Sequence, residues 1–163
     1  MPEITDITPA TPATGAQPLP AIKFGSLKTD AKTLADGAWE EVDSLPGVAF
    51  LVRPFHYKPY EVARDALLRK LARAAKKTGG VIDPERRDCG IGALMGEHLL
   101  LGWRGFVDDD GKTAYEWTKE RGVAHLSDPA FRELRAAVME ACAQASETDV
   151  EYAGEAGEPS GKR

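Results

Sequence analysis

Cysteine, histidine and long apolar runs are what this chain has least of. Its 163 residues hold two cysteines, Cys89 and Cys142. Two are too few for the disulfide framework of a small secreted scaffold. Both fall in stretches that read as helix, where a free thiol serves as a small apolar filler. The three histidines, His56, His98 and His125, do not stand at helical or hairpin spacing from one another or from either cysteine, so no zinc-ligand pattern forms. No apolar run approaches the ~18–20 residues of a membrane span. The opening residues lack the basic-then-apolar order of a secretory signal. The expectation is a cytoplasmic protein with no membrane partner.

Motifs for chemistry are equally scarce. None of Ser26, Ser44, Ser127, Ser146 and Ser160 sits in a Gly-x-Ser-x-Gly setting. Cys89 lies between Asp88 and Gly90 with no histidine placed by sequence to activate it. Cys89-Gly90-Ile91-Gly92 followed by Gly96 is not a dinucleotide loop: the third glycine has the wrong offset and no strand precedes it. Gly79-Gly80 lacks the Lys-Ser/Thr of a phosphate-binding loop. Asp108-Asp109-Asp110-Gly111 opens like a calcium loop, yet the twelfth position from Asp108 is Lys119 rather than Glu. That stretch reads as a hairpin turn. No set of groups with matched catalytic roles assembles, so the expectation is a binding protein, with no enzyme activity, no cofactor and no metal.

What is present suits a single folded unit. Hydrophobic residues make up 42% and charged residues 29%, the balance of an ordinary globular domain. The net charge of −5 is unevenly spread. Residues 58–81 carry seven basic and two acidic groups, whereas residues 82–163 carry ten basic and seventeen acidic. The basic stretch has no interleaved aromatics for base stacking, so nucleic acid is not the expected partner. A solvated helix face, or one that meets an acidic partner or the chain's own acidic half, fits it better.

Periodicity supplies the elements. Residues 1–21 hold prolines at 2, 9, 12, 18 and 20 and read as a disordered leader. Residues 22–147 read as one α+β domain, and residues 148–163 as a disordered acidic tail. Residues 22–27, Ala38-Trp39-Glu40-Glu41-Val42 and residues 48–55 are strand candidates; Val48, Phe50 and Val52 share a face in the last. Together they make a small antiparallel β region. Residues 58–77 form a helix with Pro59 in its first turn, an apolar stripe through Tyr60, Ala63, Leu67, Leu71 and Ala74, and Gly79-Gly80 as its stop. Residues 81–87 read as a loop and 88–101 as a second helix. Gly90, Gly92 and Gly96 each cost that helix about 1 kcal/mol relative to Ala, which points to close packing or a break. Asp110-Gly111 turns a hairpin between Gly105-Phe106-Val107 and residues 114–117. Thr118 caps a short helix through Leu126, and Asp128-Pro129 opens a third main helix ending near Glu147. The expected fold is therefore α+β: a small antiparallel β region, three main α-helices and a hairpin, with disordered tails.

Around the hairpin stand Trp103, Phe106, Tyr115 and Trp117, the natural candidates for partner binding. The competing explanation is plain packing of the hairpin on the helices.

One resemblance adds to this. Leu99-Leu100-Leu101-Gly102-Trp103-Arg104-Gly105-Phe106-Val107-Asp108-Asp109-Asp110-Gly111-Lys112, then a short polar helix, then Asp128-Pro129-Ala130-Phe131 as a helix start, resembles the small tail assembly chaperones of siphophages and gene-transfer-agent-like particles. Asp36-Gly37-Ala38-Trp39, Phe50-Leu51-Val52-Arg53 and a helix opening near Tyr60 fit the same order. The resemblance spans residues 22–147. It implies a protein that coats the long helical tape measure protein in the host bacterial cytoplasm. Tail tube subunits then displace it, and it is absent from the mature virion. It also implies a longer form made by programmed frameshifting, for which the protein sequence offers only Gly161-Lys162. Tail tube protein contact and self-association are further expectations. The rival readings are a structural tail or tail-completion protein retained in the particle, and a small cytoplasmic adaptor. The proline-rich leader has no counterpart in the resemblance.

Overall fold

The computed structural model describes residues 21–147 and the backbone of Tyr152–Ala153. The rest of the expected leader and acidic tail lies outside the described residues. The order is β1 (Ala21–Ile22), a 3-10 turn (Phe24–Leu27), α1 (Ala31–Asp36), β2 (Ala38–Glu41), β3 (Ala49–Val52), α2 (Lys58–Lys77), α3 (Pro84–His98), β4 (Leu100–Arg104), α4 (Lys119–Ser127), a 3-10 turn (Pro129–Phe131), α5 (Arg132–Ser146) and β5 (Tyr152–Ala153). The α+β expectation holds, with five α-helices among the described residues rather than three main ones.

A three-stranded antiparallel sheet in the order β2-β3-β4 is the centre. Alternation decides which side faces inward. Phe50 and Val52 of β3 are fully buried toward the helices. Leu51 points the other way, where a side chain on Gly102 would meet Leu51 and the Trp39 ring. Helix α5 crosses the inner face and contributes Ala137, Val138, Ala141 and Cys142, all buried. Burial pushes the Cys142 thiol up to about 12, so it stays a neutral filler. Glu140, on the exposed side of α5, clasps the β2–β3 connection: its carboxylate accepts from Asp43 N–H at 2.9 Å and from the Ser44 hydroxyl at 2.6 Å. Both cysteines are free, as expected.

Several boundaries differ from the sequence expectations. The strand over residues 22–27 shrinks to Ala21–Ile22, because Ser26 folds back on the Lys23 carbonyl and makes a 3-10 turn. Its partner is β5, inside the stretch expected to be disordered tail. Helix α1 has no counterpart among the sequence expectations; Asp30 caps it by accepting from Lys32 N–H, and six residues leave no stripe to read. Residues 81–87 are not all loop: Asp83 caps and Pro84 opens α3. That helix stops at His98 rather than running through Leu101, because Leu100–Arg104 pairs with β3. The apolar run 99–101 carries no period that separates helix end from buried strand. The expected hairpin also changes. It keeps a single bridge, Val107 to Ala114, with Tyr115 N–H donating to the Phe106 carbonyl at 3.0 Å. The regular pairing in this region belongs to β4 instead.

The helix glycines behave as close-packing residues. A Cβ on Gly92 would lie 1.9 Å from the Leu126 carbonyl oxygen, and one on Gly96 would lie 2.8 Å from the Val123 backbone. Helices α3 and α4 therefore touch backbone to backbone. Gly92→Ala should destabilise the fold by about 2–3 kcal/mol despite the better helix propensity of alanine, read as a lower urea midpoint.

The Glu140 clasp gives a pH signature. Hydrogen bonds from the Ser44 hydroxyl, and then from the backbone, hold this carboxyl below the usual carboxylate range. A depressed folded-state value means the contribution is present above the ordinary value and is lost as pH falls through the folded one. The stability gap between the parent and Glu140→Gln should be open at neutral pH and close in acid, measured by thermal melts across pH.

Candidate binding cleft

The cleft is built outward from Trp103. Strand β4 places this indole at the sheet margin, where it is 7% exposed. Its Nε1–H donates to the Tyr115 carbonyl at 2.8 Å, and the two rings stack at 5.9 Å with 13° between planes. Phe106 meets Trp103 edge-on at 5.7 Å and also contacts Phe50 of the core. The loop 105–117 is thereby folded against the sheet. Gly105, with φ of +95°, starts it; a Cβ there would collide with the Gly47 carbonyl. At its tip Asp110 accepts from the Thr113 hydroxyl and from the N–H groups of Thr113 and Lys112. Those bonds hold the Asp110 carboxyl below its ordinary value.

Helix α4 and the turn after it form the opposite wall. His125 bonds the Tyr115 hydroxyl through Nε2 at 2.8 Å and packs on the Phe131 ring at 4.4 Å. Arg135 fixes this corner from beneath. Its buried guanidinium donates from Nε to the Leu126 carbonyl and from Nη2 to the Asp128 carbonyl, each at 3.0 Å. On the outer side, Arg121 lies 4.6 Å from the Tyr115 ring centre.

Between the walls lies an open cleft of about 480 Å³. Its apolar surface comes from Leu45, Trp103, Phe106, Val107, Tyr115, Phe131 and Leu134, with His125 in the wall and Asp108, Asp109 and Glu133 along the edge. Phe131 is 39% exposed and Val107 55%.

Of the four aromatics singled out from the sequence, Trp103, Phe106 and Tyr115 line the cleft together. Trp117 does not. It is half-buried against α4, and a Cβ on Gly122 would sit 3.2 Å from its Nε1. Packing and cleft-lining coexist: Trp103 belongs to the core, and Phe106, Tyr115 and Trp117 pack on that core from outside. Sequence reasoning missed His125, Phe131 and Leu134 as wall residues. Their helical spacing places Phe131 and Leu134 on the inner stripe of the last helix. The contrary signal is Asp128-Pro129, whose 3-10 turn rotates Phe131 out of the α5 stripe. Among the described residues no group of three or more His, Cys, Asp or Glu side chains converges as metal ligands do. No helix of the described residues is long and apolar enough to cross a membrane.

Trp103→Ala should cost about 3–5 kcal/mol in urea denaturation, as expected for a buried aromatic. Phe131→Ala should cost about 1 kcal/mol, because its ring is partly exposed already.

A family model described as YdaY prophage protein matches residues 55–158, more than half of the chain. The matched segment includes the loop, α4 and the whole of α5, and so most of the cleft wall. No curated protein and no solved structure matches the chain.

Proposed function

The chain belongs to the YdaY prophage protein family, and from that premise we propose that it is a tail assembly chaperone that binds the tape measure protein. The observation that carries this reading is the open aromatic cleft between the 105–117 loop and the α4–α5 corner. Its walls come from the stretch whose motif order resembles those chaperones. A long helical protein that awaits its tube exposes apolar faces, and a helix-in-groove contact covers them. A cleft of this size grips one or two side chains per contact. Each contact is therefore weak, many copies supply the avidity, and tube subunits can displace them. The protein acts in the host bacterial cytoplasm and leaves before the particle is finished.

Co-expression with the tape measure protein of the same prophage tests the proposal. The soluble fraction of that protein should rise with the parent chain and fall back with Phe131→Ser, which removes a cleft wall at little cost to the fold. No solubilisation by the parent contradicts the reading. Stoichiometric copies in purified particles, read by mass spectrometry, would favour a retained tail component instead.

A further inference from the structure

We propose that the cleft selects a cationic residue on its partner: a Lys or Arg one helical turn from the apolar side chain that enters the aromatic walls. The inference rests on the assignment of the cleft as a docking site and names the chemistry it takes.

Three carboxylates, Asp108, Asp109 and Glu133, border the cleft, and they come from both of its sides, the loop and the start of α5. All three residues are exposed. Among the described residues, none of the three is paired with a Lys, Arg or His; ion pairs there join Lys58 to Glu61, Arg64 to Asp65 and Arg87 to Asp88. The three carboxylates make one local hydrogen bond among the described residues: Asp108 accepts from Asp109 N–H at 2.9 Å. Asp110 in the same turn differs, because both of its oxygens are engaged by Thr113 and Lys112. The Asp110 carboxylate builds the loop, while its two neighbours are left available.

Like charges gathered at an apolar opening repel one another until a cation arrives between them. A Lys or Arg side chain suits the arrangement in both of its parts. Its methylene stem lies on the aromatic wall and its charged head stays at the wet edge among the carboxylates. An anionic residue at the same place meets three like charges, so the edge also excludes. On a partner helix, residues three or four apart lie side by side, which sets the spacing between the apolar anchor and the cation.

The experiment uses the full chain and three amphipathic helical peptides of identical apolar face, differing only at the position four residues from the anchoring Phe: Lys, Gln or Glu. Affinities are read by fluorescence anisotropy at low salt and at 0.5 M salt, on the order of ten times the low-salt ionic strength. The Lys peptide should bind about tenfold tighter than the Gln peptide, the combined effect of a few edge ion pairs. The Glu peptide should bind weakest. High salt should erase the ranking, as should the triple variant Asp108→Asn, Asp109→Asn, Glu133→Gln, whose fold is checked by its urea midpoint. Equal binding of the three peptides overturns the inference while leaving the cleft as an apolar dock. A Glu peptide that binds tightest also overturns it. If no peptide binds at all, both the inference and the docking reading fall.

Discussion

The hydrogen bond and stack between Trp103 and Tyr115 is the constraint on which the surface of this protein depends. It joins the last strand of the sheet to a loop that has almost no backbone ladder of its own. Without it, residues 105–117 would be a long connection with one bridge and a tight turn. With it, the loop becomes one side of a cleft. The Tyr115 hydroxyl carries the constraint onward to His125, and His125 to Phe131, so a chain of ring contacts runs from the core to solvent. The same indole that closes the core at the sheet margin supplies the wall of a candidate binding surface. The integrity of the cleft is thereby tied to the stability of the fold.

The opposite wall depends on a different device. Helix α4 lies on α3 at backbone contact, which Gly92 and Gly96 permit, and Arg135 holds the α4–α5 corner through two carbonyls. A buried guanidinium bound to carbonyl oxygens loses hydration without a neutralising carboxylate, and hydrogen bonding offsets that cost only when the carbonyls are aimed at it. The free end of α4 provides them. Glycine contact on one side and arginine bonding on the other leave the corner little freedom, and Phe131 is carried on it.

Much of the fold was legible because its signals are periodic. The helix over residues 58–77 coincides with α2, the strand expectations over 38–42 and 48–55 contain β2 and β3, and Val48, Phe50 and Val52 form the buried face expected of the latter. Capping chemistry placed α4 through Thr118 and the corner through Asp128. The largest misreading has a local cause. Leu99 to Leu101 is apolar on every side, so it hid the switch from helix to strand, and with it the third strand of the sheet. The hairpin expectation, made from the Asp110-Gly111 turn, survives as the Val107–Ala114 bridge, while the regular pairing lies just before it in β4. Trp103, Phe106 and Tyr115 were recognisable as aromatics near a turn. That Phe131 and His125 face them was not, because Asp128-Pro129 marks a helix start without showing where its 3-10 turn aims Phe131, and the α3–α4 contact that positions His125 is encoded by no local pattern.

Membership in the YdaY prophage family gives the chain its phage origin. The role proposed for the cleft within that origin is to cover a partner's apolar side chains without altering a bond. Hydrogen–deuterium exchange of the chain, with and without the tape measure protein of its prophage, tests this most directly. Protection should be confined to residues 103–117 and 125–134, the two walls. Protection confined instead to the basic face of α2, or no change anywhere, would contradict it.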